Sequence, residues 1–198
     1  MPSQHKPYYN RTLMDFEQKT AMQLPNPETL LTDITTKIET QLNQAPSIGQ
    51  CAFVGIHSGG VWLMQRILAT LKLDIPYGTL DAALYRDDYA QRGLKAQSKP
   101  SNIAFNVQDK HIILIDDIFY TGRTTRAAMN ELFDYGRPAS ITLAVLINRG
   151  GAELPILPNI VGAEILLNPK QSLQLSQDTK GKLHLSLEDN FSENDLLK

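Results

Sequence analysis

The sequence lacks several features that define large classes of proteins. It has one cysteine, Cys51, in 198 residues, which excludes an internal disulfide and a zinc site built from several cysteines. No apolar run approaches the about 18–20 residues that a membrane-spanning helix needs, and the polar N-terminus does not have the pattern of a secretory signal. The net charge of −2 gives no support for a strongly basic nucleic-acid-binding surface. We therefore expect a cytoplasmic protein that does not associate with membranes.

The composition that remains is typical of one globular domain, with 42% hydrophobic and 20% charged residues. Residues 1–25 are polar and show no sustained periodicity, so we interpret them as an N-terminal extension. The predicted domain covers residues 26–190, and a polar tail follows at 191–198. Within the domain the pattern predicts helices at 27–44, 61–73 and 126–135 and strands at 51–56, 77–85, 112–115, 139–147 and 183–187. Buried strands alternating with helices indicate an α/β fold with a mainly parallel sheet flanked by helices.

The most informative stretch is residues 112–125, IILIDDIFYTGRTT. Its apolar start is typical of a buried parallel strand, which leads to Asp116 and Asp117. A glycine and hydroxyl side chains follow at the strand-to-helix turn, where backbone N–H groups and the helix dipole favour a phosphate. Carboxylates at the end of such a strand can accept hydrogen bonds from ribose hydroxyls or help to hold Mg²⁺ through water. A ribose 5-phosphate therefore fits the stretch, although the aspartates could instead cap the next helix and Gly122 could simply supply a turn.

A second strand-to-helix turn, His57-Ser58-Gly59-Gly60, follows the predicted strand 51–56. Glycine allows a ligand to approach the backbone closely, so this turn is a second candidate anion loop. By itself the Ser-Gly-Gly sequence indicates only a turn, and His57 could equally be a histidine without a ligand at a strand end. In a parallel sheet both turns would lie at the carboxyl edge, where such folds bind ligands.

The stretch 112–125 resembles the signature of the type I phosphoribosyltransferases, which bind phosphoribosyl pyrophosphate (PRPP). Three further blocks, 84–88 (LYRDD), 136–138 (GRP) and 153–156 (ELPI), are similar to those of one branch, the bifunctional pyrimidine-operon regulator/uracil phosphoribosyltransferase (PyrR) family. The resemblance covers about residues 26–190 and implies the type I phosphoribosyltransferase fold, with a small hood over the active site. It also implies Mg²⁺-dependent conversion of uracil and PRPP to UMP and pyrophosphate, by a homodimer or a larger homo-oligomer.

The resemblance implies roles for the matching residues. Asp116 and Asp117 would bind the ribose hydroxyls and stabilise positive charge that develops on the sugar, while Tyr85 and Arg86 would lie at the base of the loop that closes over the pyrophosphate. Mg²⁺ would have no direct protein ligand and would be held near the two aspartates through the substrate and water. The other PRPP-binding residues would be His57, Ser58, Gly59, Gly60, Tyr120, Thr121, Gly122, Arg123, Thr124 and Thr125.

The sequence specifies less clearly which residues contact the base and how much positive charge the turn 57–60 offers to the pyrophosphate. The resemblance implies that Ile160 and Val161 contact the base through apolar and main-chain groups. Close relatives often carry a basic residue and an arginine in the first loop, where this chain has His57 and Gly59. Fewer side-chain charges would leave pyrophosphate binding more to backbone amides and to Arg86.

Two alternatives to a uracil phosphoribosyltransferase stay open. One is a UMP- or UTP-responsive attenuator that binds a leader mRNA, with Arg137 and Arg149 as candidate RNA or nucleotide contacts and little or no catalysis. The family usually carries His-Arg after the Arg-Gly pair and an acid before it, and this chain has Gly151, Ala152 and Asn148 there. These differences would remove phosphate contacts, so we place RNA binding behind catalysis. The other alternative is a purine phosphoribosyltransferase, since the PRPP signature does not distinguish the bases.

Overall fold

The structure is a computed structural model that describes residues 23–45, 47–82, 100–168 and 170–189. Within these ranges the α-helices are α1 (Pro27–Asn43), α2 (Gly59–Leu71) and α3 (Arg123–Asp134), and a short 3-10 helix, Ile48–Gln50, precedes the first strand. The strands are β1 (Cys51–Ile56), β2 (Tyr77–Leu80), β3 (His111–Phe119), β4 (Ser140–Asn148), β5 (Ile160–Glu164), β6 (Gln171–Gln177) and β7 (Leu183–Asp189). No helix in the described part of the chain is long and apolar enough to cross a membrane.

Strands β1 to β5 form one parallel sheet in the order β2-β1-β3-β4-β5. Successive side chains point to opposite faces, so Phe53 and Ile113 pack with α1 and α2 on one face, while Val54 and Leu114 pack with α3 on the other. Both faces of the central strands are therefore buried, which explains their continuous apolar sequences. The prediction of an α/β fold with a parallel sheet flanked by helices is confirmed.

Helix α1 begins as its sequence predicts. The side chain of Asn26 accepts a hydrogen bond from the backbone N–H of Glu28 at 3.0 Å, and Pro27 occupies the first helical position. Its apolar side chains recur at helical spacing and are buried against the sheet: Leu30, Leu31, Ile34, Ile38 and Leu42. This helix covers the side of the sheet that carries β4 and β5.

A separate antiparallel pair, β6 and β7, packs against the α1 face through Leu173, Leu175 and Leu183. The sequence predicted only the core of β7, and it missed β5 and β6. Three other predictions were wrong at their ends. Helix α2 spans Gly59–Leu71 and not 61–73, α3 begins three residues earlier than expected, at Arg123, and β3 continues four residues beyond the predicted end at 115. Strand β2 ends at Leu80, and the rest of the predicted strand up to Tyr85 lies outside the described residues except for Asp81 and Ala82.

Candidate active site

The two predicted anion loops lie side by side because β1 and β3 are neighbours in the sheet. Gly55 near the end of β1 pairs with Ile115 of β3, and both strands run in the same direction. The turn that follows β1, including a cis peptide bond between His57 and Ser58, therefore emerges next to the Asp116–Asp117 pair. Parallel pairing thus brings the two loops to one carboxyl edge, as the sequence predicts.

The two aspartates are unusual because they are acidic and almost completely buried. Each is 3% exposed. The carboxylate of Asp116 accepts a hydrogen bond from the backbone N–H of Asp117 at 2.9 Å, and that of Asp117 accepts one from the N–H of Ile118 at 2.9 Å. Buried carboxylates are costly unless such hydrogen bonds or a bound partner compensate them, so their position at a ligand-binding edge favours a functional role.

Glycines allow α2 to approach the aspartates at backbone distance. A Cβ added to Gly59 would lie 2.6 Å from Cβ of Asp117, and one added to Gly60 would lie 3.0 Å from Cα of Asp116 and would overlap the carbonyl oxygen of Ile115. Any side chain at either position would push the first loop away from β3. The Gly-Gly pair is therefore required for the first loop to lie directly against β3.

The turn after β3 has the form of an anion site. Gly122 adopts a left-handed φ of +89° and is the N-cap residue of α3, so the cap position itself carries no side chain. Thr121 and Thr125 are buried, at 3% and 1% exposed, and the Thr121 Oγ1 accepts a hydrogen bond from the Arg123 N–H at 3.3 Å. The start of α3 thus directs backbone N–H groups and the positive end of its dipole to the edge that carries the aspartates.

Comparison with known proteins agrees with this geometry. A family model described as the phosphoribosyl transferase domain matches residues 26–170. A Bifunctional protein PyrR of Pseudomonas fluorescens is 46% identical over 164 residues, which cover 83% of this chain and 97% of the relative. Another Bifunctional protein PyrR, from Nitrosococcus oceani, is 46% identical over 161 residues, covering 78% and 91%. The chain belongs to the PyrR family of phosphoribosyltransferases.

Solved structures agree on the fold. The chain resembles a hypoxanthine-guanine phosphoribosyltransferase from Bacillus anthracis with a TM-score of 0.57, over 75% of this chain and 84% of that chain. It resembles a hypoxanthine phosphoribosyltransferase from Trypanosoma cruzi with a TM-score of 0.52, over 72% and 80%. Sequence identity to both is 17%, so these likenesses concern the type I phosphoribosyltransferase fold alone.

In this PyrR-family chain residues 120–125, which follow β3, are the candidate phosphate site, and we call them the phosphate turn. Residues 149–154 brace this turn, and we call them the bracing segment. The backbone N–H groups of Glu153 and Leu154 both donate to the carbonyl oxygen of Thr121, at 3.0 and 3.3 Å. The guanidinium of Arg123 forms an ion pair with the carboxylate of Glu153. The sequence does not predict a bracing role for any of these residues, since nothing in the local pattern links position 121 to position 153.

The structure separates the two candidate RNA contacts. Arg137 precedes β4 and lies near the start of β3, where its backbone carbonyl accepts from the Asp109 N–H at 2.9 Å. Arg149 follows β4, whose nine residues correspond to about 30 Å. Its guanidinium lies 3.7 Å from the centroid of the Tyr120 ring and donates to the carbonyl oxygen of Gln171 at 2.8 Å. Arg149 therefore contacts the phosphate turn, and Arg137 lies at the opposite edge of the sheet.

The predicted base contacts lie on β5. The side chain of Ile160 is 7% exposed and packs in the core beneath α1, so it is not available to a base. The backbone carbonyl of Val161 accepts a hydrogen bond from Nζ of Lys37 at 2.7 Å, a contact that the sequence did not predict. The base-binding role of both residues stays a prediction that concerns their backbone. Tyr85 and Arg86 lie outside the described residues.

The donor set fits a magnesium ion that is held largely by its ligand. In the four described ranges no group of three or more histidine, cysteine or acidic side chains is close enough to bind a metal. The site offers the paired carboxylates of Asp116 and Asp117, and carboxylate oxygens suit Mg²⁺, which commonly retains water and binds substrate phosphates with few protein ligands.

Proposed function

We propose that this protein is a uracil phosphoribosyltransferase, which converts uracil and PRPP to UMP and pyrophosphate. The observation that carries the proposal is the buried Asp116–Asp117 pair, packed against a Gly-Gly turn on one side and next to the start of α3 on the other. This arrangement offers hydrogen-bond acceptors to ribose hydroxyls and two backbone-lined turns to phosphates. PRPP has hydroxyls between two phosphate-bearing ends, so it matches the order of these groups.

The chain's own residues would act by binding and electrostatics. The 5-phosphate would rest on the amides of residues 122–125, and the pyrophosphate on those of the turn 57–60. The carboxylates of Asp116 and Asp117 would hold the ribose hydroxyls and stabilise the positive charge that develops on the sugar as the pyrophosphate leaves. Arg86 would neutralise pyrophosphate charge from the loop that closes over it and excludes water. No residue is required as a covalent nucleophile.

Magnesium is part of the proposal. Asp116 and Asp117 would hold it through water and the ribose side of the substrate, and the ion would supply neutralisation of the negative charge on the leaving pyrophosphate. The fit of the paired carboxylates to this task supports Mg²⁺.

The choice of uracil is supported by the relatives. Curated proteins named Bifunctional protein PyrR match most of this chain at 46% identity, and the LYRDD and GRP blocks of the sequence agree with that branch. Purine phosphoribosyltransferases share the fold at 17% identity, a likeness that does not extend to the base. We further propose that the chain forms a homodimer or a larger homo-oligomer in the cytoplasm.

A regulatory role is the second candidate, because the relatives are named bifunctional. The nucleotide site would then sense UMP, and a basic face would bind a leader mRNA. Gly151 and Ala152 supply no positive charge to such a face, and Arg149 is stacked on Tyr120 within the phosphate turn. We therefore propose catalysis as the main function and RNA binding as a secondary one.

The deciding experiment measures nucleotide formation from PRPP, Mg²⁺ and uracil, hypoxanthine, guanine or orotate in separate reactions. Asp116→Asn and Asp117→Asn keep the size of each side chain and remove its charge, and Asp134→Asn, at the exposed end of α3, is the matched control. We expect UMP from uracil alone, a loss of about 100-fold or more in each site variant, and no loss in the control. If only a purine base gave a nucleotide, that purine and not uracil would be the substrate. Absence of product with every base would overturn the catalytic proposal.

A further inference from the structure

Arg149 makes three contacts that join separate parts of the site. Its backbone N–H donates to the carbonyl oxygen of Phe119 at 3.0 Å, its guanidinium lies over the Tyr120 ring at 3.7 Å, and its Nη2 donates to the Gln171 carbonyl at 2.8 Å. We propose that Arg149 is a positioning residue for PRPP binding. Arg149 holds the phosphate turn in its binding conformation and anchors that turn to β6. The proposal rests on the proposed function, since it assigns the turn to the 5-phosphate.

The geometry explains why the contact reaches the phosphate turn. Tyr120 is the residue between the end of β3 and Thr121, so the orientation of its ring is coupled to the backbone that leads into the anion site. The face of the ring is covered by a guanidinium that also bonds to another sheet. A partly buried cation–π contact of this kind is stronger than one in water. The ring therefore has a fixed support on the side of the bracing segment.

Gly151, in the same bracing segment, also packs against the Tyr120 ring. Its φ of +86° is left-handed, and an added Cβ would lie 2.7 Å from Cε2 of Tyr120. The backbone of residue 151 thus packs directly on the edge of the ring whose face Arg149 covers. A bulkier residue at 151 would have to displace the ring or the segment. Glycine at this position therefore helps Arg149 to hold the Tyr120 ring in place.

The choice of arginine follows from the two tasks of the side chain. A planar guanidinium can stack on a ring and donate in its own plane at the same time, whereas an ammonium group can do only one of these well. The Nε of Arg149 is buried and has no hydrogen-bond partner among the residues described, so the guanidinium is held by the ring and by the Gln171 carbonyl. We expect lysine at 149 to restore charge but not position.

The kinetic test uses Arg149→Met, Arg149→Lys and Tyr120→Leu, with Lys180→Met, an exposed lysine in the turn between β6 and β7, as the control. Both Arg149 variants should raise the KM for PRPP about tenfold, since a stacking contact and a hydrogen bond are lost, and should change kcat less than about twofold. The double variant Arg149→Met/Tyr120→Leu should be no worse than the worse single variant, because both act through one contact. Additive losses would overturn the proposal.

Hydrogen exchange separates positioning from direct ligand binding and does not depend on activity. In the ligand-free protein Arg149→Met should accelerate exchange at the amides of residues 123, 126, 153 and 154 by at least about fivefold, because their hydrogen bonds hold the turn. A raised KM with unchanged exchange would show that Arg149 acts on the ligand itself and would overturn the positioning role. If the unaltered protein forms no nucleotide, the proposed function fails, and the exchange result still decides whether Arg149 holds the turn.

Discussion

The backbone of Gly59 at the start of α2 lies directly against the side chain of Asp117 at the end of β3. A Cβ at position 59 would come within 2.6 Å of Cβ of Asp117 and still closer to its carboxylate. The contact is possible because β1 and β3 are parallel neighbours and because residue 59 has no side chain. It fixes the distance between the turn proposed for pyrophosphate and the carboxylates proposed for ribose.

Gly59→Ala should therefore disable the site with little effect on folding. The methyl group must move either α2 or the Asp117 carboxylate, and a displacement of about 1 Å at a catalytic group can cost about 100-fold in rate. We expect kcat/KM for PRPP to fall by about that factor while the thermal unfolding midpoint changes by only a few degrees. The control is Gly49→Ala, where the nearest atom to a new Cβ is Ser47 Oγ at 3.7 Å. Normal kcat/KM in folded Gly59→Ala would show that the contact does not constrain the site.

Glu28 links α1 to α2 and to β7, which gives the fold a stability term that depends on pH. Arg66 donates to its two carboxylate oxygens at 2.8 and 2.6 Å, and the N–H of Leu183 donates at 2.9 Å. The hydrogen bond from Arg66 is the largest cause that lowers the pKa of Glu28 below its ordinary value of 4.5, partly opposed by burial. A lowered folded-state pKa adds stability above about pH 4.5, and this stability is lost as the pH falls through the lowered value.

We therefore expect Glu28→Gln to reduce the free energy of unfolding in urea at pH 7 by about 1 kcal/mol, a small value because the pair is about one third exposed. The difference from the unaltered protein should shrink at a pH well below 4.5, as the pH falls through the lowered folded-state pKa and the carboxylate becomes protonated. Glu39→Gln, an exposed position on the same helix, is the control. A difference that is equal at both pH values would contradict an electrostatic origin.

Local signals explain which elements could be predicted from the sequence. Helix α1 was predicted to within one residue, because its Asn-Pro start and its apolar spacing are contained in the helix itself. Strand β6 was missed because its two buried leucines stand among glutamines and serines, and their burial depends on packing against parts of the core that are distant in sequence. The early start of α3 depends on the left-handed φ of Gly122, which the sequence permits but does not require.

Features of the candidate site likewise differ in whether the sequence could predict them. Parallel strands place their following turns at one edge, so the meeting of the turn 57–60 with Asp116 and Asp117 could be predicted from topology. The contacts of Arg149 with Tyr120 and of Lys37 with Val161 could not, because each joins residues far apart in the chain. Family resemblance implies an RNA or nucleotide contact for Arg149, which stays a prediction, and the structure adds the contact of its guanidinium with the Tyr120 ring.

Cys51 should be chemically inert in the folded protein. It is fully buried at the start of β1, and burial raises the pKa of its thiol, so that less of the reactive thiolate is present near neutral pH. We expect modification by a disulfide reagent at pH 8 to be at least about 100-fold slower in native protein than in urea. In urea the reaction must release one equivalent of the reagent's thiol per protein chain, since the sequence has a single cysteine. Rapid modification of native protein would contradict the buried position.

The Arg123–Glu153 ion pair should affect ligand binding more than stability. Its side chains are 57% and 50% exposed, and such pairs contribute little to folding. The Glu153 carboxylate would compete with a phosphate for the Arg123 guanidinium, whereas the bracing bond from the Glu153 backbone N–H to the Thr121 carbonyl would be kept in Glu153→Gln. Glu153→Gln should keep the free energy of unfolding within about 0.5 kcal/mol and lower the KM for PRPP about twofold to threefold at low salt, with the gain vanishing near 1 M salt. Asp134→Asn at the far end of α3 controls for net charge. A higher KM in Glu153→Gln would mean that this carboxylate supports the turn instead of competing with its ligand.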